Sequence, residues 1–192
     1  MQQISFIREL DKLKAVHRKA LIRIDNNRFE NSAEHSWHVA LVAQILAPYA
    51  NENIDISRVI SMLLIHDIVE IDAGDTFAFE DNSVQIEQAI KEKRAAERIF
   101  GMLPEPQRSD FLSLWNEFEK ADSADARFAN SIDRILPLIQ NMANGGGSWV
   151  NNNVYKHQVI RRNKFLKVAA PELWEFALSQ IEVACLNGWL KE

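Results

Sequence analysis

A single cysteine, Cys185, stands in this chain of 192 residues. No internal disulfide can form, and one thiol suits a reducing compartment. It reads as a small buried apolar residue rather than a nucleophile. Glycine and proline are scarce, at 6 and 5 residues, against 47% hydrophobic and 26% charged content, the composition of a globular chain. Threonine occurs once, at Thr76, and no Val/Ile/Thr-rich alternation is present, so no strand is expected. No apolar run reaches the roughly 20 residues that span a bilayer. The opening MQQISFIREL lacks a basic end followed by an apolar stretch, so it does not read as a secretory signal. These absences lead to the expectation of a cytoplasmic protein with no membrane partner.

Positive charge is also in deficit. A net charge of −5 argues against a nucleic-acid polymer as partner, because that binding needs a basic surface. Residues 8–28 are the exception, with seven Lys and Arg against three Asp and Glu. A locally basic stretch on an acidic chain fits a small anionic ligand. The alternative is a solvated helix face.

Helical periodicity is what the chain has in abundance. Ile4, Phe6, Ile7, Leu10 and Leu13 mark a first amphipathic helix. Asn31 with Glu34 at the third position predicts a capping box opening a second helix that runs to Pro48. Asp55 or Ser57 can cap a third, from Val59 to about Glu70, apolar around much of its girth and therefore central. A charged helix over about 83–100, with a solvated outer face, ends at Gly101. Pro104 can open the next, and a further helix spans 124 to about 142 with Pro137 inside it. Gly145-Gly146-Gly147 breaks the chain before two closing helices, roughly 154–168 and 171–189. Trp115, Trp174 and Trp189 fall at apolar helical positions and read as core; Trp149, beside the glycines, does not read so clearly. One all-α domain of about eight helices, residues 1–192, is expected.

Against that background, LLIHDIVEIDAGD is hard to explain by packing. His66 and Asp67 follow directly on an apolar helix, and both are costly to bury without a partner. A divalent cation is an economical partner, since imidazole and carboxylate together suit such ions. The second helix offers His35 and His38, three apart on one face. His38, beside Val39, Leu41 and Val42, reads more readily as a core histidine. Asp133, flanked by Ile132 and Ile135, needs a cation, an arginine or a cap. His157 reads as surface.

A histidine early in one helix, a His-Asp pair in a second and a lone Asp in a later one resembles the HD superfamily of metal-dependent phosphohydrolases, and within it the compact 5′-deoxynucleotidase group. The likeness runs through ENSAEHSWHVALVA, HDIVEIDAGD and WNEFEKADSADARFANSIDRILPLIQN. It implies an HD-type helical bundle in which His35, His66, Asp67 and Asp133 hold one divalent cation, any of Mn, Co, Fe, Ni, Zn or Mg. It further implies Glu70 and Asp75 as catalytic residues, Arg18 as the phosphate-binding arginine, and Glu117 and Glu119 near the substrate. Relatives of this kind are commonly homodimers. Where several deoxynucleotidases carry Trp after that arginine, this chain has Lys19, so the resemblance fixes neither base nor sugar preference.

The resemblance also implies a chemistry. A phosphate monoester resists attack because its charge repels nucleophiles, so hydrolysis needs neutralisation and an activated water. Glu70, one turn beyond His66, is placed to move a proton. Asp75 can orient water or a sugar hydroxyl, and Arg18 can fork onto non-bridging oxygens. The substrate implied is a small phosphorylated molecule, a deoxyribonucleoside 5′-monophosphate first. The alternatives are a nucleoside di- or triphosphate or a cyclic phosphodiester, for which Lys156, Arg161, Arg162 and Lys164 are available. The non-enzymatic alternative is a helical module with a structural metal.

Overall fold

The structure is a computed structural model describing residues 1–192. Helix α1 (Gln2–Leu10) passes into a 3-10 turn, Asp11–Ala15, and then into a two-stranded antiparallel ribbon, β1 (His17–Ile22) and β2 (Arg28–Asn31). The ribbon corrects the expectation of no strand. Its register pairs His17 with Asn31, Leu21 with Phe29 and Ile22 with Arg28, with an irregularity between His17 and Leu21. The connection turns through Asn26 and Asn27, both at positive φ, which asparagine tolerates better than most residues.

The helices follow as α2 (Ser32–Leu46), α3 (Ile56–Ile65), α4 (Glu70–Ala73), α5 (Asn82–Phe100), α6 (Gln107–Lys120), α7 (Ala124–Ala143), α8 (Gly147–Asn151), α9 (Lys156–Asn163), α10 (Leu166–Ala169) and α11 (Pro171–Leu186). Eight of the eleven run for eight residues or more, so the all-α expectation holds for the full-length helices. No helix is long and apolar enough to cross a membrane.

Local signals account for most starts. Asn31 Oδ1 accepts from the Glu34 amide and Glu34 answers at the Asn31 amide, the capping box read from sequence. Asp55 caps α3 through the Ser57 and Arg58 amides. Helix α6 begins at Gln107 rather than at Pro104, with Pro106 as its cap residue. Pro137 lies inside α7 and, having no N–H, leaves the Asp133 carbonyl without its helical donor.

The third helix ends earlier than expected. At Ile65 the chain tightens into a 3-10 turn, His66–Val69, before α4. Near three residues per turn, positions i and i+3 eclipse, so Asp67 and Glu70 come onto one side. Two adjoining cores hold this turn. Met62 and Leu63, fully buried, belong to one built with α2, α7 and the closing helices. Ile65, Ile68 and Val69 belong to the other, with Phe6, Ile99, Phe100 and Trp115. Trp115 Nε1 also donates to the His66 carbonyl at 3.2 Å. Full burial of each such side chain contributes about 1.5–3 kcal/mol, so the turn is clamped from both sides.

Candidate metal centre and active site

His35 comes from the first turn of α2, His66 and Asp67 from the 3-10 turn, and Asp133 from the middle of α7. One ligand atom from each of His35, His66 and Asp133 lies within 4.8 Å of the other two, and all three residues are buried. His35 Nε2 is 2.9 Å from Asp133 Oδ1, and His66 Nε2 is 3.5 Å from the same oxygen. Asp67 closes the group, its Oδ1 3.0 Å from His66 Nε2 and its Oδ2 4.0 Å from His35 Nε2. That Oδ2 also accepts from Arg18 Nη1 at 2.6 Å.

The donor set fits a divalent cation, and His66 tests the fit. Its Nδ1 is 2.8 Å from the Leu63 carbonyl, which can only accept, so Nδ1 carries the proton. In the neutral ring Nε2 is then a bare lone pair, buried and without a hydrogen-bond partner. A lone pair facing two carboxylate oxygens is repulsive unless positive charge stands among them. Burial works against protonation, yet the charges of Asp67 and Asp133 overcome it and raise the His66 pKa to about 9. A proton can supply that charge, and a divalent ion can supply it with two nitrogens and two hard oxygens at hand.

Behind His35 stands Glu30, a residue with no sequence signal beyond its place before the Asn31 cap. It is 2% exposed. Its Oε1 accepts from Gln140 Nε2 at 2.8 Å, and its Oε2 is 3.3 Å from His35 Nδ1 and 3.6 Å from Arg18 Nε. A carboxylate behind a ligating imidazole fixes the ring and raises its basicity.

The turn presents Glu70 beside the four. Ser32 Oγ donates to Glu70 Oε2 at 2.5 Å, and Oε1 lies 3.9 Å from Arg18 Nη1. Burial first, and the Asp67 charge second, hold Glu70 well above the usual carboxylate range against the pull of Arg18. Asp75 Oδ1 is also 3.9 Å from Arg18, and burial raises its pKa. Arg18, His66, Asp67, Glu70, Asp75 and Asp133 line a cavity of about 380 Å³, to which α5 and α6 add Glu92 and Glu119 and α7 and α9 add Arg134 and Arg162.

The acidic pair on α6 is split. Glu119 lines the cavity, whereas Glu117 turns away to pair with Arg58 and to accept from Ser123 Oγ at 2.7 Å. Positions two apart on a helix lie about 200° from one another. Trp115, buried four residues before Glu119, carried the phase that separates them. His38 is only partly buried and His157 is exposed; neither enters the cavity. Helix α5 is less of an outer face than its charge suggested, since Gln88 is buried and donates to the Gly74 carbonyl and to Glu92.

The HD domain family model matches residues 10–174. The chain belongs to the HD domain family. Over its whole length it is similar to a crystal structure from Magnetospirillum magnetotacticum MS-1 described as a predicted metal-dependent phosphohydrolase, with 42% identity, 95% of that chain covered and a TM-score of 0.93. It is 28% identical to human 5′-deoxynucleotidase HDDC2 over 137 residues, 71% of this chain but 65% of the human protein's length. Escherichia coli 5′-deoxynucleotidase YfbR is 29% identical over 159 residues, 78% of this chain and 79% of that one.

Proposed function

We propose that this HD domain protein is a metal-dependent phosphohydrolase, and that its substrate is a deoxyribonucleoside 5′-monophosphate. The observation that carries this reading is the convergence of His35, His66 and Asp133 within 4.8 Å beside a buried Glu70 whose pKa burial raises. A structural metal would not need that carboxyl. A divalent cation held by His35, His66, Asp67 and Asp133 would supply Lewis acidity and lower the pKa of a water. The chain's own groups do the rest. Glu70, held by Ser32, exchanges a proton near the reacting phosphate. Asp75, beyond the turn, orients water or a sugar hydroxyl. The 5′-deoxynucleotidase names of the human and Escherichia coli relatives support the choice of substrate.

Phosphate release from a panel of nucleotides, with each divalent metal added in turn, tests this. Deoxyribonucleoside monophosphates should be cleaved ahead of ribonucleotides and of di- or triphosphates. Glu70→Gln should keep the metal and lose activity by roughly a hundredfold or more. A panel with no metal-stimulated release, or a Glu70→Gln protein of full activity, rejects the reading.

A second copy of the chain is the proposed partner. Trp37, Leu41 and Ile45, spaced along one side of α2, are 64%, 45% and 63% exposed, an apolar stripe of the kind a homodimer covers. Light scattering on the native protein and on Trp37→Glu decides it: dimer and monomer respectively are expected.

A further inference from the structure

The cavity beside the candidate metal centre is not polar throughout. Phe77 and Phe79, in the loop between α4 and α5, line it. Both side chains are half-buried and rest against the core built with α2, α7 and the closing helices. Their ring centroids are 5.3 Å apart with the planes at 74°, edge to face. Such a contact covers a single ring face, so the pair keeps aromatic surface that its own packing does not use.

Two glutamines of α5 hold this loop in shape. Gln88 Nε2 donates to the Gly74 carbonyl at 2.7 Å, and Gln85 Nε2 donates to the Ala78 and Glu80 carbonyls at 3.3 and 3.2 Å. The Glu80 amide closes a turn on the Phe77 carbonyl at 3.0 Å. The loop is therefore pinned before and after the rings by one helix, and its carbonyls need no ligand to satisfy them. Rings placed in advance reduce the ordering cost of whatever binds against them. The loop also begins at the site. Asp75 stands two residues before Phe77, at most about 7 Å along the chain, so an anion at the metal centre and a flat group on the phenyls can belong to one small molecule. A fixed aromatic pair in the wall of a polar cavity is a surface for such a flat group.

We propose that Phe77 and Phe79 form the platform on which the nucleobase of the substrate stacks. Every base has a π-face, and base–aromatic stacking is strong enough for its loss to be read in kinetics. The assignment rests on the nucleotide reading for its ligand, but one part of its test needs no turnover.

Deoxyadenosine 5′-monophosphate and deoxyribose 5-phosphate, which lacks the base, separate base contact from everything else. The ratio of their kcat/KM values is measured for the wild type and for the double variants Phe77→Leu/Phe79→Leu and Phe77→Tyr/Phe79→Tyr. Leucine keeps apolar packing and removes the ring face; tyrosine keeps the face. The leucine protein should lower the ratio roughly fivefold to a hundredfold, and the tyrosine protein should stay within a few-fold of wild type. A role in packing alone lowers both substrates alike, and that unchanged ratio overturns the proposal. If the double leucine variant does not fold, the two single leucine variants decide, an unchanged ratio in both being the overturning result. Where the wild type hydrolyses no nucleotide, calorimetric titration of deoxyadenosine takes over. Binding that weakens in the leucine variants then refutes the proposed function and leaves the platform standing; no binding by the wild type, or equal binding by all, overturns the platform as well.

Discussion

Arg18 and Asp67, 49 positions apart in sequence, are joined at 2.6 Å, with side chains only 12% and 11% exposed. The ribbon carries the arginine and the 3-10 turn carries the aspartate, so this pair ties the ribbon to the candidate metal centre. Removing one partner of a buried ion pair leaves the other charge uncompensated, which costs about 3–5 kcal/mol. Arg18→Gln should therefore lose about that much stability in chelator-treated protein. A divalent cation stabilises whichever form binds it, and with the carboxylates uncompensated it should recover part of the loss. Urea unfolding with chelator and with manganese measures both. An Arg18→Gln protein as stable as wild type without metal would show that this pair does not hold the ribbon in place.

Ser32 is fully buried and donates to Glu70 from the turn ahead of His35. Its hydroxyl holds the carboxyl proposed to move the proton and makes no hydrogen bond to His35, His66, Asp67 or Asp133. Ser32→Ala should cost about 0.5–1.5 kcal/mol of stability, keep metal content at wild type, and lower kcat by roughly tenfold with KM little changed. Metal analysis and steady-state kinetics on the same preparation test this; a change confined to KM would mean that Ser32 serves substrate binding instead.

The candidate metal centre was legible because its residues break local rules. His66 and Asp67 interrupt an apolar run, Asp133 sits among core isoleucines, and His35 follows a capping box that marks its helix. What escaped was long-range or weakly patterned. The ribbon has little β-branched alternation, and its placement comes from tertiary contacts such as Ser32 N–H to the Val16 carbonyl at 3.0 Å and Gln140 to Glu30. Arg134 and Arg162 belong to helices joined through the Gly145–Gly147 break, and nothing in either helix says that the two arginines share a cavity. The 3-10 turn was hidden because the apolar run continues through Ile68 and Val69 in helical spacing. The Leu63 carbonyl facing His66 Nδ1 is a detail that periodicity does not carry.

Glu119 gives a pH dependence whose sign can be worked out. Partial removal from water, and then the nearby charge of Glu92, push its pKa up to about 7 from 4.5. The folded chain therefore holds this proton more tightly than the unfolded chain. Its contribution is fully present below about pH 4.5 and is lost as pH rises toward 7. Glu119 keeps more than a third of its surface in water, so screening makes the effect smaller than the shift alone suggests. Glu119→Gln should flatten the decline in stability between those pH values and leave the variant the more stable protein near pH 8. Parallel unfolding curves for the two proteins across that range would refute the sign.

The glycine break before α8 is under two separate constraints, and they can be measured apart. Gly146 has φ +90°, and a Cβ there would come within 2.6 Å of Val150 Cγ2 and 2.7 Å of Trp189 Cβ. Gly188 has φ +70° with nothing within 4 Å of the same position. Gly188→Ala should cost only the left-handed backbone penalty, about 1–2 kcal/mol. Gly146→Ala adds overpacking against Trp189 and should reach about 2–4 kcal/mol. The turn at Gly146 sets Trp149 and Ser148 into the cavity wall, where Ser148 N–H donates to Asn141 Oδ1 at 2.7 Å. Gly146→Ala should therefore also raise KM for the proposed nucleotide substrate, while Gly188→Ala leaves it unchanged. Equal destabilisation by the two alanines would show that steric closure around Trp189 does not hold this turn.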